Sequence, residues 1–229
     1  MAIVKEERIG DQRLILGDCL EVMPGLDTFD AVVTDPPYGI GEGGDKNRSR
    51  GKVAPVGKYK SDKWDSTTAD VQIKLAIQMS KSAIVFGGNY YDLPPTPCWL
   101  VWDKQNGSND FADCELAWTN LTKAVRRIYW RWHGMIRKGS DIRQHPTQKP
   151  LGVMEWCINH LPDTAQTILD PFMGSGTTLV ACQKLGRAGT GIELDPDYFH
   201  IACKRVDEAT RQPDLFVEPA PKPTQEVLL

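Results

Sequence analysis

Short apolar runs, each stopped by glycine, proline or aspartate, recur along this chain between longer amphipathic stretches. Arg13-Leu14-Ile15-Leu16 predicts a strand ending at Gly17-Asp18, and Phe29-Asp30-Ala31-Val32-Val33-Thr34 predicts a buried strand stopped abruptly by Pro36 and Pro37. Apolar residues at Val71, Ile73, Leu75, Ala76, Ile77 and Met79 predict a helix over 70–82. Ala83-Ile84-Val85-Phe86 reads as a strand halted by Gly87-Gly88, and Pro94, Pro95 and Pro97 mark a turn before a strand over 98–102. Further strands are expected over 115–119 and 127–132. Pro150 opens a helix to about His160, and Thr167-Ile168-Leu169 forms a strand ending at Asp170. A helix over 177–185 closes at Gly186, a strand follows over 189–194, and a last helix spans 197–209 with Asp195 or Asp197 near its N-cap. Strands alternating with helices argue a mainly parallel α/β sheet.

Two segments carry no periodicity. Residues 39–63 are rich in glycine and lysine and read as a long flexible loop, a length that usually signals function or disorder. From Arg211 the chain has four prolines, so 211–229 reads as a disordered tail. With 229 residues, one sizeable domain over 1–210 accounts for the rest. No apolar run is long enough to span a membrane and no signal-peptide pattern appears, so a cytoplasmic protein is expected. The six cysteines (19, 98, 114, 157, 182 and 203) are scattered without a C-x-x-C pair, which argues reduced thiols and no metal site.

The net charge of -3 conceals an asymmetry. Residues 42–63 hold seven Lys/Arg against three acids, and residues 123–149 hold eight against one. Two basic segments on an acidic body point to a localised polyanion site, although solvated loops give the same count.

Chemistry concentrates at two strand ends. Asp35-Pro36-Pro37-Tyr38 puts a carboxylate, rigid carbonyls and a ring at the carboxyl end of a strand, where ligands bind in an open α/β sheet. Such an acceptor pair beside a ring suits a flat molecule bearing an exocyclic amine. Asp170-Pro171-Phe172-Met173-Gly174-Ser175-Gly176-Thr177-Thr178 is a strand, a glycine turn and a helix start. Glu193 follows at the next strand end, where an acid typically holds a ribose diol. Leu179 stands where the dinucleotide fingerprint needs glycine, and no Gly-Lys-Ser/Thr is present, so dinucleotides and P-loop triphosphates are disfavoured. A nucleoside without bound pyrophosphate, such as S-adenosyl-L-methionine, fits; a glycine-rich turn without a ligand is the plainer alternative.

Together these residues resemble the DNA amino-methyltransferases of bacteria and phage, which act on adenine N6 or cytosine N4. Asp35-Pro36-Pro37-Tyr38 resembles the catalytic tetrapeptide, 170–178 the cofactor loop, and Gly191-Ile192-Glu193 the ribose site. Gly17-Asp18 is similar to the motif touching the cofactor adenine, and His145-Pro146-Thr147-Gln148-Lys149-Pro150 to the segment beside its methionine. Phe86-Gly87-Gly88-Asn89 and Trp102-Asp103-Lys104 match weaker pocket-wall motifs. The resemblance spans most of 13–205, and its motif order is that of the permuted, beta-type group. It implies a Rossmann-like class I methyltransferase fold, a doubly wound sheet in circularly permuted order, with the strand before Asp18 beside the one ending in Glu193.

The resemblance further implies catalytic roles for Asp35, Pro36, Pro37 and Tyr38. It implies cofactor contacts at Asp18, Cys19, Asp35, Thr147, Lys149, Asp170, Phe172, Gly174, Ser175, Gly176, Thr177 and Glu193. Double-stranded DNA would meet Lys46, Arg48, Arg50, Lys58 and Lys60 of a mobile loop, and Arg126, Arg127, Arg131, Arg137 and Lys138 of a short recognition region over 120–145. So short a region implies relaxed recognition or help from a homodimer. Tyr129, Trp130 and Trp132 would stack on bases or pack in the core. Gln212-Pro213-Asp214-Leu215-Phe216 resembles a sliding-clamp docking peptide, with Pro213 replacing the usual leucine. The leading Asp favours adenine N6. Cytosine N4 methylation is the alternative, and a non-catalytic nucleic-acid binding protein is a third reading.

Overall fold

The computed structural model describes residues 2–39, 69–106, 112–133, 136–137 and 148–211. Among them eleven strands and five α-helices form a nine-stranded sheet with helices on both faces and a separate two-stranded ribbon. The strands are β1 (Ile3–Ile9), β2 (Gln12–Gly17), β3 (Phe29–Thr34), β4 (Ser80–Phe86), β5 (Trp99–Asp103), β6 (Cys114–Thr119), β7 (Arg126–Tyr129), β8 (Trp132–His133), β9 (Ile136–Arg137), β10 (Thr167–Asp170) and β11 (Ala188–Glu193). The helices are α1 (Cys19–Val22), α2 (Asp70–Gln78), α3 (Leu151–Ile158), α4 (Thr177–Lys184) and α5 (Pro196–Arg211).

The sheet order is β1-β2-β11-β10-β3-β4-β6-β5-β7. Its centre, β2 through β4, is parallel throughout. Buried parallel strands must be apolar on both faces, and the sequence supplies this residue by residue. Ala31 and Val33 face one side with Ile84 and Phe86, packing under Val153, Met154 and Ile158 of α3 and Ala181 of α4. Val32 faces the other side with Ala83 and Val85, under Ile73 and Ala76 of α2 and Val22 of α1. Phe199, Ala202 and Val206 of α5 close a third cluster over Leu14 and Leu16.

β2 lies parallel to β11, with Leu14 opposite Gly191, as the motif order implied. Gln12 pins that seam: its Nε2 donates to the Arg187 carbonyl at 2.9 Å and its Oε1 accepts from Gly189 N–H at 2.8 Å.

Three expectations need correction. A strand, β1, precedes β2 and pairs with it antiparallel at the sheet edge. The helix expected over 70–82 ends at Gln78, because Ser80 Oγ donates to the Ala76 and Ile77 carbonyls and the chain turns directly into β4. The strand expected over 127–132 is β7 plus part of a separate ribbon. Asp195 accepts from Asp197 N–H at 2.7 Å, so it is the residue capping α5. No described helix is long and apolar enough to cross a membrane, and no described group of His, Cys, Asp or Glu forms a metal cluster. The segment 40–68 with Lys46, Arg48, Arg50, Lys58 and Lys60, together with Lys138, Thr147 and the peptide 212–216, lies outside the described residues, as does the Arg137 side chain.

Candidate active site

The parallel strands β2, β3, β10 and β11 all end at one rim, and a cavity of about 610 Å³ opens there. Its lining includes Asp18, Cys19, Asp35, Lys149, Asp170, Phe172, Gly174, Ser175, Thr177 and Glu193. Both strand-end motifs therefore face a single space, of the size usual for ligand pockets (roughly 300–1,000 Å³). Gly176 does not line it. Its φ of 78° is left-handed, and an added Cβ would stand 2.9 Å from Ala202 Cβ, so only glycine lets α4 start this close to α5. Arg205 of α5 fixes the same turn by donating to the Ser175 carbonyl at 2.6 Å and to Thr177 Oγ1 at 3.0 Å.

Glu193 closes the far side. Its carboxylate accepts from Gly174 N–H at 2.9 Å and Asp195 N–H at 2.8 Å, while burial pushes it up to about 7. Asp18 accepts from Leu20 N–H at 2.8 Å and caps α1. Phe172, Ile192 and Leu194 make the adjoining wall apolar. Carboxylates with spare lone pairs, an apolar wall and a glycine turn suit the chemistry of an adenosine-type cofactor.

Asp170 stands between the two motifs and is 3% exposed. It accepts from Thr34 Oγ1 at 2.8 Å, Phe172 N–H at 3.1 Å and Thr178 Oγ1 at 2.5 Å. These bonds tie β3 to the glycine turn. Burial nevertheless pushes its carboxyl up to about 6.

Around Asp35 both carboxylate oxygens and the next two backbone carbonyls accept hydrogen bonds. Tyr38 Oη donates to Asp35 Oδ1 at 2.6 Å, and Lys149 Nζ donates to Oδ2 at 2.6 Å. Tyr91 Oη donates to the Pro36 and Pro37 carbonyls at 3.2 and 2.8 Å. Burial pushes Asp35 above the usual carboxylate range against the pull of Lys149. Tyr38 stacks on Tyr90 with ring centroids 5.0 Å apart. Its other surface lies against Gly87, where a Cβ would come within 2.2 Å of the ring. Tyr90, Tyr91 and Glu115, the last of which pairs with Lys149 at 2.9 Å, have no signature in the sequence; Phe86-Gly87-Gly88-Asn89 and Trp102-Asp103-Lys104 marked that wall.

The basic segment is split. Arg126, Arg127 and Arg131 are exposed on or beside edge strand β7. Arg127 stacks on Tyr129, which is itself 47% exposed, at 4.4 Å. Trp130 and Trp132 instead pack against the core, Trp130 so closely that a Cβ on Gly152 would meet its ring at 2.1 Å. Cys98 is fully buried.

Residues 94–204 match the N6/N4 family model described as DNA methylase. Relatives include the type II methyltransferase M2.DpnII of Streptococcus pneumoniae, 27% identical over 79% of this chain and 83% of that protein. The type II methyltransferase M.HpaI of Haemophilus parainfluenzae is 24% identical over 86% of this chain and 74% of its own length. Among solved structures, that of M1.HpyAVI with SAM superposes at a TM-score of 0.56 with 22% identity, covering 85% of this chain and 99% of that one. PvuII DNA methyltransferase, described as cytosine-N4-specific, superposes at 0.54 with 14% identity, covering 91% and 94%. The architecture is thus the Rossmann-like fold of class I DNA methyltransferases. The family match over 94–204 and the type II relatives support an S-adenosylmethionine-dependent DNA methyltransferase.

Proposed function

We propose that this chain methylates adenine N6 in double-stranded DNA, in the permuted, beta-type arrangement. The observation that carries the reading is that Asp35 opens onto the same cavity as the Gly174–Thr177 turn and Glu193. When bound there, S-adenosylmethionine would supply an electrophilic methyl group. Glu193 would accept from its ribose hydroxyls, Asp18 and Phe172 would border its adenine, and the turn would take the amino-acid end.

An exocyclic amine is a weak nucleophile because its lone pair is delocalised into the ring. Asp35 and the Pro36 carbonyl, two acceptors at one strand end, favour a pyramidal nitrogen by taking its hydrogens. The lone pair would then form the N–C bond as the sulfonium carbon–sulfur bond breaks, so positioning would supply much of the acceleration. The cationic nitrogen so formed would give its surplus proton to the Asp35 carboxylate, which would pass it to solvent. Both acceptors already hold hydroxyl donors, so the arriving amine replaces Tyr38 on Asp35 and Tyr91 on Pro36. Tyr38, released from Asp35 and turned off Tyr90 and Gly87, would stack on the base. A base inside a duplex cannot reach this rim, so it must be flipped out. Exposed Arg126, Arg127 and Arg131 suit the flanking phosphates.

Asp35 at the head of the tetrapeptide supports adenine over cytosine. The test is incubation of unmethylated duplex DNA with methyl-tritiated cofactor, followed by nucleoside analysis. N6-methyladenine is expected. Label in N4-methylcytosine would replace the base assignment, and no label in any DNA would overturn the reading.

A further inference from the structure

Behind Asp35 runs a chain of alternating charges from three separate elements. Lys149, just before α3, reaches Asp35 Oδ2 at 2.6 Å and Glu115 Oε2 of β6 at 2.9 Å. Lys104, just after β5, reaches Glu115 Oε1 at 2.6 Å. Lys149 is only 7% exposed, and its ammonium lies over the Phe86 ring at 5.2 Å and near the Tyr38 ring at 5.7 Å. Two half-buried carboxylates and two cations therefore balance.

We propose that Glu115 and Lys149 are positioning residues for Asp35: Lys149 keeps it ionised and aimed at the rim, and Glu115 shares Lys149 so that Asp35 is not locked against it. This role rests on the methyl-transfer reading. It differs from a cofactor contact for Lys149, because that ammonium is already engaged by two carboxylates.

The geometry gives each member a distinct sign. Asp35 also faces Tyr38 Oη on Oδ1, with Asp170 across the cavity and Tyr91 on the neighbouring carbonyls. Among these neighbours Lys149 is the cation in contact with Asp35, and Glu115 is the anion that offsets it. Burial opposes ionisation of Glu115, yet Lys149 and Lys104 outweigh it and hold its carboxyl down at about 2. Burial likewise opposes charge on Lys149, and Asp35 and Glu115 outweigh it, raising its ammonium above the ordinary range. Removing Lys149 leaves the half-buried Asp35 without its counter-charge, so its proton is held to higher pH. Removing Glu115 gives Lys149 wholly to Asp35, so its proton is lost at lower pH.

The test is to titrate the Asp35 carboxyl by carbon-13 NMR in the full chain, assigned with Asp35→Asn, in wild type, Lys149→Gln and Glu115→Gln. The acid limb of kcat is measured in parallel on a DNA substrate. Lys149→Gln should raise the Asp35 midpoint by roughly one unit or more, and Glu115→Gln should lower it by a smaller amount. The acid limb should move in the same two opposite directions, with kcat falling at least about tenfold and the cofactor Kd changing little. Shifts in the same direction, or none, would overturn the role, since a merely structural part predicts no opposed pair. A wild-type chain that titrates as stated yet transfers no methyl group to DNA would overturn the methyl-transfer reading and the positioning role with it. Transfer by wild type with unmoved limbs sinks the positioning role alone. Should Lys149→Gln fail to fold, Lys149→Arg and Glu115→Gln decide it. Arginine must hold the wild-type midpoint and the glutamine variant must lower it.

Discussion

Asp170→Asn should leave the protein with a different dependence of stability on pH, and the size of the change follows from burial. Asp170 is fully enclosed between Thr34, Phe172 and Thr178, and its carboxyl is raised from 3.8 to about 6. A carboxyl whose folded value lies above its unfolded value binds its proton more tightly in the native state. Its stabilising contribution is therefore complete below about pH 4 and is lost as pH rises through about 6. The full difference is about 2 units, or about 3 kcal/mol, and about 2 kcal/mol of it falls between about pH 4.5 and 7.5. Asparagine keeps the shape and the oxygen facing Thr34 and Phe172, can donate to Thr178, and carries no titrating charge. Glu193, raised in the same direction, is present in both proteins and cancels in the comparison. Urea unfolding of wild type and Asp170→Asn at several pH values is the assay. The variant should gain about 2 kcal/mol relative to wild type across that window. Parallel curves, or a gain toward acid pH, would show that Asp170 is ionised in the fold without penalty and refute the reasoning.

Gly87→Ala places a methyl group 2.2 Å from the Tyr38 ring at a left-handed φ of 66°, so it should cut methyl transfer at least about tenfold while cofactor affinity, read by calorimetry, stays near wild type. Glu193→Gln keeps the shape but weakens acceptance from a diol, so cofactor binding should weaken about tenfold, whereas Asp35→Ala should abolish transfer and leave that binding intact. Charge reversal of both Arg126 and Arg127 should weaken DNA binding and flatten its salt dependence, by about two phosphate contacts at most, without altering cofactor affinity. An unchanged slope in a salt titration would remove β7 from the DNA surface.

The centre of the sheet was legible because burial on both faces leaves no alternative for runs such as Ala31-Val32-Val33. The two strand-end motifs were legible because glycine and proline interrupt the apolar pattern where a ligand must approach. β1 escaped because Ile3–Ile9 is an exposed edge strand with four charged residues in seven, and no apolar face to show a period. The end of α2 was overrun because Ile77 and Met79 keep helical spacing, while the stop is made by a serine hydroxyl. Glu115 was invisible for a different reason. Its partners Lys104 and Lys149 are 11 and 34 residues away, and nothing local distinguishes it from any strand glutamate. Trp130 and Trp132, adjacent to arginines, suit bases or core equally by sequence, and only their packing against the core, Trp130 beside Gly152 of α3, decides between the two.

The seam between β2 and β11 has a consequence for how the chain is made. Gln12 and Gly189 are separated by 177 residues yet share a hydrogen bond at the heart of the sheet. On a ribosome, β2 must wait with only the β1 hairpin for company until β11 emerges, and non-local pairings of this kind are slow to form. The rim bearing Asp18 and Glu193 cannot exist before that moment. A nascent or truncated chain lacking β11 therefore cannot assemble the cavity at that rim, and the proposed methyl transfer would begin only with the finished sheet.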